Sequence, residues 1–482
     1  MKVEIDELMR RSGVGFGTSG ARGLVADMTD EVCRAYTLGF LKYLEKSGDL
    51  KGGERVALAG DLRPSTPRIM AAVAHAISER GYVSVNCGFV PSPAVALYGI
   101  ERRIPAIMVT GSHIPADRNG IKFNKPSGEI LKEDEAGIRA QVVEFDESAG
   151  AFPLPAEDMD ARADYLRRYA KGFPEGCLEG LTLGIYRHSA VGRDLLVEIF
   201  SALGADVTPL GSSSEFVPVD TEAIRPEDVA LAKEWSEENG FDAILSTDGD
   251  SDRPLLSDES GNWLRGDVLG ILAATWLGAD SVSTPVSCNT AVEKCGRFAE
   301  VRRTRIGSPY VVASMQSASA AGRRGVVGYE ANGGFLTNSD FSIGAKPLRA
   351  LPTRDAVLPI LAALLLAKGE GKTLSELLRG LPQRVTASDR IKDFPAEASG
   401  KLLERLKDVE GIEAVFGDRF GKVEGIDRTD GTRIAFASGE IVHLRPSGNA
   451  PEFRCYVESE STARCEESLA TAMNVLRSMR GR

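Results

Sequence analysis

A serine follows the end of a strand-like segment, where open α/β sheets bind their ligands. The segment Thr110-Gly-Ser-His-Ile-Pro115 comes directly after the apolar run Ala106–Val109, and such sheets place ligand sites beyond the carboxyl ends of their strands. The Ser112 hydroxyl is a weak nucleophile until a base or a metal activates it. His113 and Lys122 could carry a proton, but neighbouring side chains of an extended chain point in opposite directions, so a Ser112–His113 pair cannot be assumed. A capping serine beside a surface histidine is the alternative interpretation.

Three carboxylates alternate with small residues along a second short loop. Asp248, Asp250 and Asp252 follow the strand-like run Phe241–Leu245. Three unpaired anions this close would repel one another, so a bound divalent cation is the natural compensation. Oxygen ligands alone favour Mg²⁺ or Mn²⁺ over Zn²⁺. An EF-hand loop is rejected because its sixth position requires glycine and is Arg253 here. A solvated acidic turn is the alternative.

Two further loops offer polar groups that suit a phosphorylated polyol. Glu330 and Asn332 lie two residues apart on a glycine-rich loop and could bond vicinal hydroxyls. Nearer the carboxyl terminus, an arginine fork, a hydroxyl and exposed amides could form a nest for a phosphate dianion. The members of this predicted phosphate site are Arg445, Ser447, Gly448, Asn449 and Arg454. Either loop could instead be a structural turn.

A glycine-rich segment near the amino terminus, Gly15-Phe-Gly-Thr-Ser-Gly20-Ala-Arg22, could present Arg22 to an anion. Its glycines fit the G-x-G-x-x-G pattern of dinucleotide-binding loops, which requires a preceding strand. The preceding Glu7–Ser12 is mostly polar and not strand-like, so the dinucleotide interpretation is not favoured. An anion-binding loop and a plain turn both stay open for this segment.

The elements that must position these groups follow an α/β pattern. Strand-like runs alternate with helical patterns along the first three quarters of the chain, as in the strand Arg55–Ala59 and the helix predicted over Thr66–Arg80. The last quarter carries strand-like runs and a closing helix, Cys465–Met479. At roughly 100–200 residues per domain, 482 residues make three or four domains. Interruptions in the pattern predict domains over residues 1–152, 153–255, 256–370 and 371–482.

Composition limits the partners. The chain has 58 Lys and Arg against 69 Asp and Glu, a formal net charge of −11, which argues against nucleic acid or an anionic membrane surface. The longest apolar run, Leu358–Ala367, is about half the ~20 residues of a membrane span and predicts a buried helix. The seven cysteines are scattered, and the first residues carry no apolar signal segment. We therefore expect a cytoplasmic protein with reduced thiols.

These segments, in this order and at these spacings, resemble the α-D-phosphohexomutase superfamily over nearly the whole chain. The likeness is greatest to its phosphomannomutase/phosphoglucomutase branch, and the Ser112 loop and the Asp248–Arg253 loop carry it most specifically. The resemblance implies an α/β protein of four domains, three similar α/β domains and a C-terminal α+β domain, around a central cleft. Each domain would supply one loop of the active site.

The resemblance also implies a role for each candidate residue. Ser112 would be carried as phosphoserine, and Mg²⁺ would be held by a phosphoserine oxygen with Asp248, Asp250 and Asp252. Charge on the transferring group would be stabilised by Arg22 and Arg253, and the acid–base work would fall to Lys122 with His113. Sugar hydroxyls would be bound by Glu330 and Asn332, and the non-reacting phosphate by Arg445, Ser447, Gly448, Asn449 and Arg454.

The implied reaction is reversible transfer of phosphate between C1 and C6 of a hexose phosphate through a 1,6-bisphosphate, which also serves as activator. Mannose 1-phosphate and mannose 6-phosphate are the expected pair; glucose, both sugars, or glucosamine are the alternatives. The loop from Glu330 lacks the Ser and His of the common Glu-x-Ser-Gly-His, Ser308 stands where several relatives carry His, and Ile114 stands where Asn is usual. A phosphatase or phosphotransferase using the same serine, and an inactive sugar-phosphate-binding protein, are the competing functions. The sequence leaves a monomer and a homo-oligomer open.

Overall fold

The computed structural model describes residues 2–17, 20–146, 152–344, 346–446 and 452–479. The chain divides into two compact units: the first comprises residues 1–282 and 307–377, and the second comprises residues 283–306 and 378–482. Three members of the predicted phosphate site, Ser447, Gly448 and Asn449, lie outside the described residues. Within those ranges, no helix combines the length and the apolar composition that a membrane span requires.

A mixed sheet flanked by helices forms the amino-terminal part of the first unit. The strands of this sheet are β2 (Gly15–Phe16), β3 (Gly20–Leu24), β4 (Arg55–Gly60), β5 (Val83–Phe89), β6 (Ala106–Val109), β7 (Arg118–Lys125) and β8 (Gly128–Glu129). A separate two-stranded sheet consists of β1 (Lys2–Glu4) and β9 (Val142–Glu144). The helices are α1 (Ile5–Ser12), α2 (Asp30–Ser47), α3 (Thr66–Glu79), α4 (Ser92–Arg102) and α5 (Lys132–Arg139). The strands pair in the order β2-β3-β7-β6-β4-β5, with β8 beside β7, while β1 pairs with β9. Because β4 runs parallel to β5 and β6, the carboxyl end of β6 lies at the edge where sheets of this kind bind their ligands.

Helix α2 shows how local signals set the ends of these elements. The Thr29 hydroxyl accepts a hydrogen bond from the amide of Val32, and Asp30 and Glu31 follow in the first turn. Both features stabilise a helix amino terminus, where amides lack partners and the helix dipole is positive. At the other end, Gly48 adopts a left-handed conformation with φ 81°, which lets the backbone turn out of the helix without a side-chain clash.

A second, smaller sheet carries the acidic loop. The elements are α6 (Asp160–Ala170), β10 (Thr182–His188), α7 (Arg193–Ala202), β11 (Asp206–Ser212), α8 (Pro226–Asn239), β12 (Ala243–Thr247) and β13 (Pro254–Leu256). The strands pair in the order β11-β10-β12-β13, and β10 is parallel to both β11 and β12. The loop from Asp248 to Arg253 joins β12 to its antiparallel neighbour β13.

The next part of the chain contains α9 (Gly266–Leu277), β14 (Ser281–Pro285), α10 (Ala291–Lys294), β15 (Glu300–Thr304), α11 (Ser308–Ala320), β16 (Val326–Tyr329), β17 (Phe335–Thr337), β18 (Phe341–Ile343), β19 (Lys346–Leu348), α12 (Val357–Glu370) and α13 (Leu374–Arg379). Strands β16 and β17 form an antiparallel hairpin whose loop contains Glu330 and Asn332. Helix α12 contains the apolar run from Leu358 to Ala367, and most of its residues are buried. The buried helix predicted from that run is therefore confirmed.

The second unit contains an antiparallel sheet covered by helices, an α+β arrangement. Its elements after residue 378 are β20 (Val385–Ile391), α14 (Ala396–Arg405), α15 (Val409–Ile412), a π-helical turn (Glu413–Gly417), α16 (Asp418–Phe420), β21 (Val423–Asp427), β22 (Thr432–Phe436), β23 (Ile441–Pro446), β24 (Phe453–Ser459) and α17 (Thr462–Met479). The strand order is β20-β24-β23-β22-β21. Buried residues alternate along β22, as expected for a sheet with one face on the core.

Candidate active site

The Ser112 loop is held in a conformation that L-residues rarely adopt. Ser112 follows β6 and has φ 54°, in the left-handed region. Its amide donates a 2.8 Å hydrogen bond to the Thr110 hydroxyl, and its carbonyl accepts a 2.8 Å hydrogen bond from Nη2 of Arg63. A strained residue persists only where its surroundings fix it, and such residues cluster at functional sites. Ser112 is fully buried.

Arg63, which the sequence analysis did not select, organises this loop. Its guanidinium donates to the carbonyls of Ile114 at 2.6 Å, Pro115 at 2.7 Å and Arg118 at 3.0 Å. Its Nε lies 3.1 Å from Oδ2 of Asp61, and both side chains are buried. In the sequence, the only sign of this arrangement is that two opposite charges, Asp61 and Arg63, directly follow strand β4. Its partners, the carbonyls beyond Thr110, are distant in the sequence.

The Ser112 loop lies directly against the acidic loop. The Ser112 hydroxyl donates a 2.6 Å hydrogen bond to Oδ2 of Asp248. A Cβ at Gly249 would lie 2.7 Å from the carbonyl oxygen of Ser112, so glycine is required for this close approach. The amides of Asp252 and Arg253 donate to Oδ1 of Asp248 at 3.3 Å and 3.2 Å. The structure therefore brings together two segments that the sequence analysis selected separately.

The three aspartates form a buried cluster that suits a hard cation. Their carboxylate oxygens lie within 4.8 Å of one another, and their exposed fractions are 0 to 2%. In the described part of the chain, Oδ1 of Asp250 and Oδ1 of Asp252 are buried and have no hydrogen-bond partner. A buried carboxylate oxygen needs a hydrogen bond or a cation. The residues present therefore fit an Mg²⁺ ion, which prefers carboxylate oxygens.

Charge repulsion in the cluster agrees with that fit. Burial and the neighbouring charges of Asp250 and Asp252 raise the pKa of Asp248 well above its usual range. Burial would also raise the pKa of Asp250, but the charge and hydrogen bond of Lys122, the hydrogen bond of Ser92 and the charge of Arg354 together outweigh it and lower that pKa. The hydroxyl of Ser92, at the start of α4, also donates to Oδ2 of Asp250 at 2.5 Å. Asp250 is thus stabilised as an anion, whereas Asp248 needs a further cation nearby to stabilise its ionised form.

Lys122 lies on β7, the strand that pairs with β6, and its side chain contacts the cluster of three aspartates. Its Nζ lies 2.5 Å from Oδ2 of Asp250 and 2.7 Å from Oδ2 of Asp252. Its side chain is 10% exposed. The Lys122 ammonium group, a candidate acid–base group, is therefore in contact with the cluster.

His113 has a different environment from Lys122. Nη1 of Arg253 lies 2.9 Å from Nδ1 of His113, so the ring nitrogen accepts and the guanidinium donates. The Ser112 hydroxyl lies 3.5 Å from the same nitrogen. Burial and the charges of Arg253 and Arg22 lower the pKa of His113 to about 2. His113 is therefore a neutral ring near neutral pH, with Nδ1 engaged by an arginine.

Arg22 and Arg253 add positive charge beside the cluster. Arg22 lies on β3, opposite Gly120 of β7, and burial together with the charges of Arg253 and Arg354 lowers its pKa to about 10. Among the described residues, the Arg22 guanidinium has no ion pair or hydrogen bond with another side chain. The Nε atom of Arg253 lies 3.8 Å from Oδ2 of Asp248. The dinucleotide interpretation, which the sequence did not favour, does not fit the structure, because helix α1 precedes β2 and the strands β2 and β3 pair antiparallel.

Glu330 and Asn332 lie on a tight, buried turn between β16 and β17. The Glu330 amide donates to the Gly334 carbonyl at 3.1 Å, and Oδ1 of Asn332 accepts from the Gly334 amide at 2.9 Å. The exposed fractions of Glu330 and Asn332 are 4% and 6%. Oε2 of Glu330 lies 3.3 Å from Nη1 of Arg354, another residue that the sequence analysis did not select.

Arg445 and Arg454 lie in the second unit, directly opposite each other on β23 and β24. Nη1 of Arg445 is 3.5 Å from Oδ2 of Asp430, and Nη2 of Arg454 is 3.7 Å from Oε2 of Glu452. In the sequence, Arg445 precedes and Arg454 follows the segment that contains Ser447, Gly448 and Asn449. The structure thus brings two of the predicted phosphate-binding residues side by side.

The chain matches models of all four domains of one enzyme family. The matches are to phosphoglucomutase/phosphomannomutase alpha/beta/alpha domain I over residues 13–149, domain II over 164–261 and domain III over 265–385, and to the C-terminal domain over 394–474. A structure of a phosphoglucomutase/phosphomannomutase family protein from Burkholderia thailandensis superposes with a TM-score of 0.73 at 21% identity, covering 96% of this chain and 97% of that one. At 21% identity, the match to this solved structure shows a shared fold and nothing more.

Curated relatives share more of the sequence. A phosphomannomutase of Salmonella muenchen is 45% identical over 477 residues, which cover 99% of this chain and 98% of the relative. A phosphomannomutase of Sinorhizobium fredii is 43% identical over 471 residues, which cover 97% of this chain and 99% of the relative. A phosphoglucosamine mutase of Clostridium botulinum is 27% identical over 484 residues, with coverage of 96% and 98%.

Proposed function

The chain belongs to the phosphoglucomutase/phosphomannomutase family, and we propose that it reversibly transfers a phosphoryl group between C1 and C6 of a hexose phosphate. The observation that carries this proposal is the 2.6 Å hydrogen bond between the Ser112 hydroxyl and Asp248, within a buried cluster of three aspartates. A serine oxygen beside a divalent-cation site is what phosphoryl transfer through a phosphoserine needs.

In the proposed reaction, phosphoserine at Ser112 donates its phosphoryl group to the free C1 or C6 hydroxyl of a hexose monophosphate. The bond from phosphorus to Oγ breaks, a bond from phosphorus to the sugar oxygen forms, and the sugar hydroxyl gives up its proton. The product is a hexose 1,6-bisphosphate, which turns end for end. Its other phosphoryl group then returns to Oγ, so the serine is regenerated in its phosphorylated form.

Asp248, Asp250 and Asp252 would hold Mg²⁺ together with an oxygen of the phosphorylated Ser112. When bound, the ion would neutralise negative charge on the transferring group. Arg22 and Arg253 would stabilise charge beside it, because both guanidinium groups lie close enough to depress the pKa of His113. Electrostatic stabilisation of this kind is the main demand of phosphoryl transfer.

Lys122 would relay the proton through Nζ: the ammonium group gives a proton to Oγ of Ser112 as the bond from phosphorus to Oγ breaks, and it takes up the proton that the sugar hydroxyl releases. Its contacts with Asp250 and Asp252 keep that nitrogen at the cluster. His113 is the weaker candidate for this step, since Nδ1 already accepts from Arg253. We propose instead that His113 orients the Arg253 guanidinium beside the reacting group.

The remaining roles follow the resemblance residue by residue. Glu330 and Asn332 would bind sugar hydroxyls, and the non-reacting phosphate would be bound by Arg445, Ser447, Gly448, Asn449 and Arg454. The opposed arginines of β23 and β24 support the second assignment. We also propose that the chain forms four domains, over residues 1–152, 153–255, 256–370 and 371–482, and that it is cytoplasmic.

Mannose phosphate is the proposed substrate. The relatives named phosphomannomutase are 43 and 45% identical to this chain, whereas a phosphoglucosamine mutase is 27% identical. The deciding experiment is a coupled assay of mannose, glucose and glucosamine 1-phosphates with Mg²⁺ and a trace of the matching 1,6-bisphosphate. The highest kcat/KM is expected for mannose 1-phosphate. Preference for another sugar would refute the substrate assignment, and no turnover of any of them would refute the mutase.

A further inference from the structure

Arg354 is a buried cation that links two loops of the candidate site. It lies between β19 and α12, and its side chain is 2% exposed. Its Nε and Nη2 atoms both lie 2.9 Å from Oδ2 of Asp252, and its Nη1 atom lies 3.3 Å from Oε2 of Glu330. One guanidinium therefore joins the loop of candidate metal ligands to the loop of candidate sugar-binding groups.

The residues on either side of Arg354 are anchored to other elements. The Thr353 hydroxyl donates a 2.7 Å hydrogen bond to Oε1 of Glu129 on β8. Oδ1 of Asp355 accepts a 2.7 Å hydrogen bond from the hydroxyl of Tyr165 on α6. The backbone is thus fixed immediately before and after Arg354, so the position of the guanidinium is set by the fold.

Gly334, at the end of the Glu330 turn, makes room for the arginine side chain. A Cβ at Gly334 would lie 2.6 Å from Cδ and 2.7 Å from Cγ of Arg354. Real Cβ atoms do not approach other carbons so closely, so any larger residue at Gly334 would displace the Arg354 side chain.

The contacts of Asp252 show what Arg354 does. Oδ2 of Asp252 accepts from Arg354 and also lies 2.7 Å from Nζ of Lys122. Oδ1 of the same carboxylate is buried and, among the described residues, has no hydrogen-bond partner; the Nε atom of Arg253 lies 3.7 Å from it, beyond hydrogen-bond distance. We propose that Arg354 is a positioning residue that fixes Asp252 so that Oδ1 stays available to the cation, and that holds the Glu330 turn against the metal-binding loop. The inference rests on the proposed function for the identity of the cation and of the sugar phosphate.

Positioning and simple charge make opposite predictions. If Arg354 acted only through its charge, it would repel a divalent cation, and removing that charge would strengthen metal binding. If it acts by orienting Asp252, loss of its two-nitrogen contact should weaken metal binding even when the charge is kept. Lysine keeps the charge and lacks the planar fork, so R354K separates the two effects.

The test measures Mg²⁺ binding to the full chain by isothermal titration calorimetry, with no sugar present. R354K and R354Q should both weaken Mg²⁺ binding, by roughly 10-fold or more, as for partners of metal ligands in other proteins. G334A, which keeps Arg354 but crowds it, should weaken binding in the same direction. The matched control is R349Q, whose arginine lies in the same connection with a side chain that is 74% exposed, and it should bind like the wild type.

Unchanged binding by R354K with tighter binding by R354Q would overturn the inference, as would a wild-type chain that binds no Mg²⁺. If circular dichroism shows that R354K or R354Q fails to fold, Mg²⁺ binding by G334A tests the inference in its place. In steady-state assays, R354K should raise the KM for the hexose phosphate as well as lower kcat, because the Glu330 contact is also lost. If the wild type turns over no hexose phosphate, the proposed function fails, while the Mg²⁺ titrations still decide the role of Arg354.

Discussion

The Ser112 hydroxyl donates a 2.6 Å hydrogen bond to Oδ2 of Asp248, although the two residues are 136 positions apart in the chain. The opposite oxygen of Asp248 accepts from two backbone amides of its own loop. The candidate nucleophile therefore lies against a carboxylate whose orientation is fixed. A change at either residue should alter metal binding and phosphoryl transfer together.

Ser112→Ala should abolish turnover while the chain still binds hexose phosphate. The substitution removes the oxygen that would carry the phosphoryl group, and loss of a nucleophile lowers kcat by on the order of 10⁴-fold or more. The measurements are the coupled assay and calorimetric titration with mannose 6-phosphate. Ser201→Ala, at an exposed position of α7, is the control and should leave both unchanged. Normal turnover by Ser112→Ala would remove the phosphoserine from the mechanism.

Asp250→Asn should weaken Mg²⁺ binding and raise the Mg²⁺ concentration that half-maximal activity requires. The substitution removes one of three buried carboxylates, and with it the negative charge that attracts the ion. Chelation with EDTA should abolish wild-type activity, and added Mg²⁺ should restore it and raise the melting temperature. Asp194→Asn, on a side chain that is 62% exposed, is the control. Full activity of Asp250→Asn at the wild-type Mg²⁺ requirement would contradict the assignment.

Arg63→Met should both destabilise the chain and reduce kcat. It leaves the Asp61 charge buried without its partner, and breaking a buried pair in this way costs about 3–5 kcal/mol. It also removes the hydrogen bonds that hold the Ser112 loop. Urea denaturation and steady-state kinetics are the measurements. Asp61→Asn combined with Arg63→Met should recover part of the stability, because the isolated charge is then removed.

The control for Arg63 is Arg10→Met, which removes an exposed ion pair between Arg10 and Asp6. Such a surface pair contributes little to stability, so this variant should unfold close to the wild type. Equal losses of unfolding free energy in Arg63→Met and Arg10→Met would show that the buried position of Arg63 has no special importance for stability.

His188→Gln should reduce the loss of stability on acidification. His188 is fully buried; its Nε2 lies 2.8 Å from the carbonyl of Thr247, and burial lowers its pKa to about 4. An unfolded histidine has a pKa of about 6.5. Between pH 6.5 and 4 the unfolded chain therefore takes up a proton that the folded chain does not, so stability falls as the pH falls. At pH 4 this single group accounts for about 3 kcal/mol.

The measurement is urea denaturation of the His188→Gln variant at several pH values between 7 and 4. The variant should show a shallower decrease in stability than the wild type. His75→Gln is the control, because His75 is only partly buried and should preserve most of the wild-type decrease. If the stability of the wild type and of His188→Gln decreased equally with falling pH, His188 would not be a buried neutral histidine in the folded chain.

Local signals were enough to predict most elements that carry the site. The predicted strand Arg55–Ala59 is β4 at Arg55–Gly60, and the predicted helix from Thr66 to Arg80 is α3 at Thr66–Glu79. The predicted strand Phe241–Leu245 lies two residues later, at Ala243–Thr247. The apolar run marked the buried segment, but backbone pairing set its ends, with β10 at Ala243 and with β13 at Thr247.

The sequence by itself determined the chemical groups of this protein and the loops that hold them. A serine after one strand, three aspartates after another and a glutamate after a third are all readable from neighbouring residues. Only the tertiary structure decided the partner of each group. Arg63 binds carbonyls about 50 residues away, and Arg354 reaches Asp252 across 102 residues. Such pairs depend on how distant strands and helices pack, and residue type and spacing contain no signal of that packing.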